Sequence, residues 1–377
     1  MPNQQWDIFC KVIDNYGDLG VCWRLSAQLA ARGHRVRLWV DDSAAQQSEG
    51  RLALEWMAPG GCSGVQVRDW PALPLASASA DAPGDVVVEA FGCDPPEWFV
   101  SHMAQRREHS GLVPVWINLE YLSAEGFTER AHGLTSPVMA GAAKGLSKVF
   151  FYPGFTPQTG GLLREPDLLE RQAAFDAQTW AHSRGIAPTS GPRISLFCYE
   201  PAALSELVSQ LRGGAQETQL LATAGRASAA LRTVLTEQSA QLGCADAQPN
   251  RLKVTELPRL SQNDYDHLLW ASDLNFVRGE DSLVRAIWAG KPFVWQIYPQ
   301  DDGAHAAKLE AFLQWFDPAP SLAQFHLVWN GLVQGALPKL NLEDWRAASL
   351  AARTRLLQQD DLVTGLERCL AATRASN

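Results

Sequence analysis

Short apolar runs alternate with amphipathic stretches along most of the chain. Residues 6–13, WDIFCKVI, are almost entirely apolar and predict a strand. Val21, Leu25 and Leu29 follow at the spacing of one helix face, and residues 35–40 predict a second strand. A strand, a helix and a second strand in this order are typical of a parallel, doubly wound sheet, so the pattern predicts an α/β fold.

The alternation of strands and helices occurs twice, on either side of a segment of loop-forming residues. That segment, GIAPTSGP at residues 185–192, is the predicted linker. A chain of 377 residues is too long for one core, so we expect two domains. Their predicted bounds are 1–184 and 192–350, and a C-terminal helix at about 355–377 is expected to pack back on the first domain. Two doubly wound domains imply a cleft that strand ends from both would face.

The stretch at residues 275–300, NFVRGEDSLVRAIWAGKPFVWQIYPQ, predicts a strand, a polar turn, a helix and a buried strand. Its turn lies at the carboxyl end of a strand and the N-terminus of a helix, where backbone N–H groups favour an anion. With Arg278 supplying positive charge, the N–H groups of Asp281 and Ser282 could hold a diphosphate. The alternative is that Asp281 or Ser282 caps the helix and Arg278 pairs with a surface acid.

A second glycine turn, DNYGDLG at residues 14–20, follows the first strand. It matches neither the dinucleotide fingerprint nor the P-loop. Two carboxylates, Asp14 and Asp18, flank the turn, and they would repel a phosphate but suit a cationic ligand or general-base catalysis. The alternative is local structure: Asp18 would cap the next helix, worth about 1 kcal/mol, and Asp14 would form an Asx-turn.

Composition and charge exclude several classes of protein. A net charge of −9 argues against a general binder of nucleic acid or anionic membranes. The N-terminus carries no pattern of a secretory signal, and no apolar run approaches the length of a membrane span, so we expect a cytoplasmic protein. The seven cysteines form no CxxC pair and the eight histidines no HExxH pattern, which predicts reduced thiols and no metal site.

Two α/β domains, a phosphate-type turn in the second and an acidic pair in the first indicate a metal-independent glycosyltransferase. The C-terminal domain would bind the nucleotide and the N-terminal domain the acceptor. Two other classes stay open. A nucleotide-sugar epimerase on the same fold would act on the free nucleotide sugar, and a non-catalytic nucleotide-sugar sensor would yield no covalent product.

Three segments carry a resemblance to a known family: DIFCKVIDNYGDLGVCWRL, VTELPRLSQNDYDHLLWASD and the stretch at residues 275–300. They closely resemble the bacterial protein-arginine rhamnosyltransferases that modify translation elongation factor P. The resemblance implies a GT-B fold, two Rossmann-like domains facing a cleft. It also implies transfer of L-rhamnose from dTDP-β-L-rhamnose to an arginine of that factor, with inversion of the anomeric centre and without a metal or other cofactor.

The resemblance also assigns roles to residues of this chain. Asp14 and Asp18 become the acceptor clamp, with Asp18 as general base, and Glu280 becomes important for activity. Arg259 stands where an aromatic residue is expected, although arginine can also stack on a base. The residues that the resemblance and the turn patterns assign to substrate binding are Asn15, Tyr16, Gly17, Phe197, Tyr199, Gln262, Arg278, Asp281, Ser282 and Tyr298.

Overall fold

The chain folds into two compact units. The computed structural model describes residues 3–12, 16–41, 49–70, 82–111, 113–242, 250–299 and 303–376. The first unit comprises Met1–Glu165 together with Gln358–Asn377, and the second comprises Pro166–Leu357. The boundary therefore follows Glu165, about twenty residues before the predicted linker, and the predicted domain bounds of 1–184 and 192–350 are corrected accordingly.

The first unit is built on a seven-stranded sheet. Its strands are β1 (Gln5–Lys11), β2 (Arg35–Asp41), β3 (Val65–Asp69), β4 (Val86–Ala90), β5 (Val115–Leu119), β6 (Thr135–Pro137) and β7 (Ser147–Phe151). They lie in the order β3-β2-β1-β4-β5-β7-β6, in which β6 alone of these strands pairs antiparallel. The connections contain α1 (Gly17–Ala31), α2 (Glu49–Met57), α3 (Glu97–Ser110) and α4 (Phe127–Ala131).

This sheet is buried on both faces, which explains the continuous apolar runs of its central strands. Side chains alternate between the faces along each strand. Ile8 and Val88 belong to the core that includes α1, whereas Phe9 and Val87 belong to the core that includes Phe99 of α3. The carboxyl ends of the parallel strands therefore lie at one edge of the sheet. The polar loops that follow these strands come together at that edge.

The second unit is built on a five-stranded, fully parallel sheet. Its strands are β8 (Arg193–Leu196), β9 (Thr218–Ala222), β10 (Leu252–Glu256), β11 (Leu274–Arg278) and β12 (Phe293–Gln296), in the order β10-β9-β8-β11-β12. Its helices are α5 (Leu168–Ala173), α6 (Ala177–Ser183), α7 (Leu204–Arg212), α8 (Arg226–Leu242), α9 (Gln262–Ala271), α10 (Gly279–Ala289), α11 (Ala304–Phe316), α12 (Pro320–Trp329) and α13 (Leu342–Leu357). Two doubly wound parallel sheets confirm the predicted α/β class.

Packing of α6 explains why the boundary lies before residue 166. Trp180 of α6 is buried in one cluster with Leu268 of α9. Phe175 packs edge-on against Trp270, with ring centroids 5.4 Å apart, and Arg184 pairs with Asp264. Because these contacts are distant in sequence, local composition at the glycine- and proline-rich segment does not report them.

The last helix, α14 (Leu362–Ser376), returns to the first unit. Its apolar side is buried in the core on the α1 face of the sheet through Leu362, Val363, Leu366 and Leu370. Its polar side is held by Arg32 at the end of α1, which pairs with Asp361 and Glu367, each at 2.7 Å. The first unit is therefore completed by residues from the far end of the chain.

Candidate active site

A cavity of about 470 Å³ opens where the strands of the first unit end. Lys11 is the last residue of β1 and Asp41 the last of β2, and both line it. Asp18 and Asp94 are two further carboxylates in its wall. Lys11 lies 3.8 Å from Asp41, so the charged lining consists of three carboxylates and one ammonium group. A cavity with this charge favours a cationic ligand over a phosphate.

Asp18 is placed by the first turn of α1. Gly17 begins the helix and Tyr16 is its N-cap residue, with no side-chain capping bond. The interpretation of Asp18 as the helix cap is therefore wrong, although a carboxylate in the first turn is favoured by the helix dipole. The hydroxyl of Tyr121 donates to Oδ2 of Asp18 at 3.2 Å. The ring of Tyr16 packs edge-on against Trp56, with centroids 6.1 Å apart.

The other half of the predicted acceptor clamp is not part of the described chain. Asp14 and Asn15 both lie outside the described residues. Their assignment to the acceptor site stays a prediction, and it rests on the resemblance and on their position directly before Tyr16.

Four predicted binding residues come together in the second unit. Arg278 ends β11, and its guanidinium carbon lies 4.4 Å from the ring centroid of Phe197 and 4.7 Å from that of Tyr199. Its Nη1 donates to the carbonyl of Cys198 at 3.0 Å. Tyr298 packs edge-on against Tyr199, with centroids 5.6 Å apart. Burial lowers the pKa of Arg278, yet arginine stays protonated, so this cluster offers a fixed positive charge beside aromatic rings.

The predicted polar turn is in fact the first turn of α10. Arg278 is the N-cap residue, and Glu280, Asp281 and Ser282 are already helical. The hydroxyl of Ser282 donates to the carbonyl of Arg278 and accepts from its N–H at 3.1 Å. Neither Asp281 nor Ser282 is therefore the N-cap residue, but Ser282 does satisfy the backbone of Arg278 and so fixes the entry into the helix.

Glu280 is held by a partner that the sequence did not indicate. Nζ of Lys308, on α11, lies 2.5 Å from Oε1 of Glu280. Both side chains are largely buried, with 18% and 22% of their surface exposed. The negative charge of Glu280 is therefore balanced by Lys308, and this ion pair holds the Glu280 side chain in place.

A second arginine contacts the same tyrosine ring as Arg278. The guanidinium carbon of Arg226 lies 4.9 Å from the centroid of Tyr199, and Arg226 also pairs with Glu200. Arg226 begins α8 directly after Gly225, whose φ of 94° is left-handed. In the sequence, Arg226 is indicated only by its position at a glycine turn between a strand and a helix, which is also the position of Arg278.

Gln262 begins α9, where Ser261 is the N-cap and accepts from the N–H of Asp264 at 3.1 Å. The helix start adjoins the aromatic cluster through Tyr265, whose ring packs edge-on against Phe197 with centroids 5.4 Å apart. Burial raises the pKa of Tyr265 well above its usual value. Arg259, which stands where an aromatic residue was expected, is exposed in the segment between β10 and α9.

The described ranges contain neither a metal-binding cluster nor a membrane-spanning helix. Among these residues, no group of three or more histidine, cysteine, aspartate or glutamate side chains is arranged to hold a metal ion. Of the helices that the structure describes, none has the length and apolar character needed to cross a membrane.

Two doubly wound sheets, with an arginine and aromatic rings clustered in one unit and an acidic cavity in the other, are the arrangement of a glycosyltransferase of the GT-B fold. A model of the family described as "Elongation-Factor P (EF-P) rhamnosyltransferase EarP" matches residues 6–371. The chain belongs to this family, which confirms the resemblance read from its sequence. It is accordingly an enzyme, and the non-catalytic sensor is excluded.

Individual relatives agree with the family assignment. The chain is 45% identical over 363 residues to a protein-arginine rhamnosyltransferase of Pseudomonas aeruginosa, covering 90% of this chain and 92% of the relative. It is 42% identical over 385 residues to the protein of the same name from Pseudomonas putida, covering 96% and 97%. A solved structure described as the structural basis for EarP-mediated arginine glycosylation of translation elongation factor EF-P has a TM-score of 0.62 and 30% identity, covering 97% of this chain and 98% of that one.

Proposed function

We propose that this enzyme transfers L-rhamnose from dTDP-β-L-rhamnose to one arginine side chain of translation elongation factor P, with inversion at the anomeric carbon. The observation that carries the proposal is the acidic cavity that Asp18 lines, in a chain of this family. The names of its relatives and the description of the related solved structure support the same acceptor chemistry.

The acceptor chemistry follows from the properties of a guanidinium group. Its pKa exceeds about 12, so it is protonated and a poor nucleophile at neutral pH. A carboxylate that binds it can orient one nitrogen towards the anomeric carbon and take its proton as the new bond forms. In the proposed step the guanidinium nitrogen bonds to C1 of the sugar, the bond from C1 to the diphosphate oxygen breaks, and Asp18 takes the proton. The second product is dTDP, which leaves with the bonding electrons.

The donor would be held by the second unit. The positive charge of Arg278 suits the diphosphate, and the aromatic rings of Phe197, Tyr199 and Tyr298 suit a base or sugar face. Because α10 begins at Gly279, the backbone N–H groups that would add hydrogen bonds to the diphosphate are those of Glu280 and Asp281, in place of the predicted Asp281 and Ser282. Gln262 and Ser282 are the remaining described residues that the family resemblance assigns to this site.

Two conditions of the reaction belong to the same proposal. The reaction needs no metal ion, because charge on the leaving diphosphate is compensated by arginine and by the helix N-terminus. It takes place in the cytoplasm, the compartment in which free thiols such as those of the six described cysteines stay reduced.

The test is the intact mass of elongation factor P after incubation with the enzyme, dTDP-β-L-rhamnose and EDTA. The expected result is a gain of one deoxyhexose that fragmentation maps to an arginine. A control without elongation factor P separates transfer from epimerisation, because an epimerase would convert the sugar nucleotide in the absence of acceptor. Donor binding without any gain in mass would contradict the proposed acceptor.

The role of Asp18 has a separate test. Asp18→Asn keeps the size of the side chain but removes its basicity, so we expect unchanged affinity for dTDP-β-L-rhamnose by calorimetry and a loss of turnover of about 10²- to 10⁴-fold. Turnover at the rate of the unaltered enzyme would show that another group takes the proton.

A further inference from the structure

The segment after β4 has an unusual backbone. Phe91, Gly92 and Asp94 all have left-handed φ angles, of 59°, 66° and 47°. Glycine adopts this region freely, but a phenylalanine is unfavourable there and stays only where its surroundings hold it. The N–H of Phe91 donates to the carbonyl of Leu119 at 2.7 Å, which ties this turn to the end of β5. All three left-handed residues line the acidic cavity.

The strained backbone places the Phe91 ring flat against Tyr121. Their centroids are 4.6 Å apart and the rings are inclined by 20°. Phe91 itself packs on the core of the first unit, whereas 43% of Tyr121 is exposed. An exposed tyrosine ordinarily turns freely, but stacking on a ring anchored in the core fixes its plane. The direction of its hydroxyl is fixed with it.

That hydroxyl donates to Oδ2 of Asp18 at 3.2 Å, and both residues line the cavity. We propose that Tyr121 is a positioning residue for Asp18, and that Phe91 holds Tyr121 in the plane this contact requires. The inference rests on the proposed function, because it presumes that Asp18 orients and deprotonates a guanidinium. One carboxylate oxygen accepts the hydrogen bond from Tyr121, which restrains rotation of the carboxylate. In this orientation Asp18 can take the proton from the acceptor nitrogen while that nitrogen attacks C1 of the sugar. Proton transfer during the attack requires a fixed orientation of the base.

The first variant is Tyr121→Phe, which keeps the stacked ring and removes only the hydroxyl. We expect kcat for the modification of elongation factor P to fall roughly ten- to hundredfold, with donor affinity, KM for the acceptor and the thermal unfolding midpoint unchanged. The acid side of the pH profile should move to higher pH, because the lost hydrogen bond favoured the ionised carboxylate. The other ionisable groups near Asp18 that the structure describes are the same in both enzymes: Lys11, Cys22, Asp41 and Asp94.

Two further variants separate positioning from a structural effect. Phe91→Leu keeps an apolar side chain but removes the stack, and we expect kcat to fall in the same direction as in Tyr121→Phe. Tyr152→Phe is the matched control: it removes a hydroxyl from a ring that packs edge-on against Phe127, 5.7 Å away, and it should leave kcat unchanged.

A combination with Asp18→Ala decides whether Tyr121 acts through Asp18. If it does, adding Tyr121→Phe to Asp18→Ala lowers the residual rate no further, whereas independent roles would multiply the two losses. Unchanged kcat and pH profile in Tyr121→Phe, with the unaltered enzyme active, would overturn this inference alone. Failure of the unaltered enzyme to modify elongation factor P would overturn the proposed function and this inference with it.

Discussion

Arg285 and Asp266 form an ion pair that is shut off from water in the second unit. Nε of Arg285 donates to Oδ1 of Asp266 at 2.8 Å and Nη2 donates to Oδ2 at 2.6 Å. Only 1% of either side chain is exposed. The pair joins α10 to α9, the two helices whose first turns carry Glu280 and Gln262. It therefore fixes the relative position of two parts of the proposed donor site.

Removing one partner of this pair should destabilise the protein strongly. Arg285→Met leaves the carboxylate of Asp266 buried without its partner, which costs about 3–5 kcal/mol. We expect a lower urea midpoint, followed by tryptophan fluorescence. The control is the double variant Arg285→Met/Asp266→Leu, which removes both charges and should lose much less than the sum of the single losses. Additive losses would mean that the two side chains contribute independently.

Local pattern was sufficient for the strands and helices around Arg278 but not for the boundary between the two units. The strand at residues 293–296 and the helix from Ala304 to Phe316 follow from apolar runs and helical spacing, because neighbouring residues decide them. The assignment of α5 and α6 to the second unit depends on Trp180 meeting Leu268, which lies nearly ninety positions further along the chain. Local sequence pattern does not indicate such a contact. The boundary was therefore predicted at the glycine- and proline-rich segment 185–192 instead of after Glu165.

The candidate site shows the same division. The turn before Asp18 and the turn at Arg278 could be recognised, since both combine charge with the end of a strand. The clustering of Phe197 and Tyr199 around Arg278 was expected only from the resemblance, and the structure supplies its distances. Tyr121 and Lys308 were not predicted as partners, because each lies far along the chain from its carboxylate and contacts it only in the folded protein.

Replacing Arg278 by lysine should weaken donor binding although it preserves the charge. An ammonium group cannot stack on Phe197 and Tyr199 as the planar guanidinium does. We expect the Kd for dTDP to rise roughly tenfold, equivalent to about 1.4 kcal/mol, as measured by calorimetry. The matched control is Arg232→Lys, in an exposed pair with Glu256 at 3.0 Å, which should leave the Kd unchanged. Equal affinity in Arg278→Lys would show that the stacked guanidinium does not contribute to dTDP binding.

Acid should release part of the interaction that holds α14. Burial alone would raise the pKa of Glu367, but hydrogen bonds from His34 and Arg32 outweigh it and hold the pKa below its usual value. Since the N–H of Gln4 donates to Nδ1 of His34 at 3.3 Å, Nε2 carries the proton that His34 donates to Glu367 at 3.0 Å. A lowered folded pKa contributes stability above the unfolded pKa, near 4.3, and loses it as the pH falls through the folded value.

The measurement for Glu367 is urea unfolding between about pH 7 and pH 3, compared with Glu367→Gln. The free-energy difference between the two proteins should be constant near neutral pH and shrink on acidification below about pH 5. The control Glu237→Gln makes the same substitution at an exposed position of α8. A constant difference across the whole range in Glu367→Gln would place the acid sensitivity elsewhere.

Gly365 lets α14 lie directly on the backbone of the first unit, and alanine should not be tolerated there. A Cβ at this position would lie 2.8 Å from the carbonyl oxygen of Gly160 and 3.1 Å from Cζ of Phe151. The crossing is fixed close to this position, because the N–H of Leu362 donates to the carbonyl of Leu162 at 3.0 Å. The backbone of residue 160 would have to move, at a cost of about 1–3 kcal/mol.

The expected change in stability for Gly365→Ala is opposite in sign to the change that helix propensity alone predicts. In an uncrowded helix interior, glycine to alanine stabilises by about 1 kcal/mol. We expect Gly365→Ala to lower the thermal unfolding midpoint instead. The control Ala375→Gly changes an exposed position of the same helix and isolates the propensity contribution near the C-terminus. A midpoint that rises in Gly365→Ala would mean that α14 is not held against Gly160 in solution.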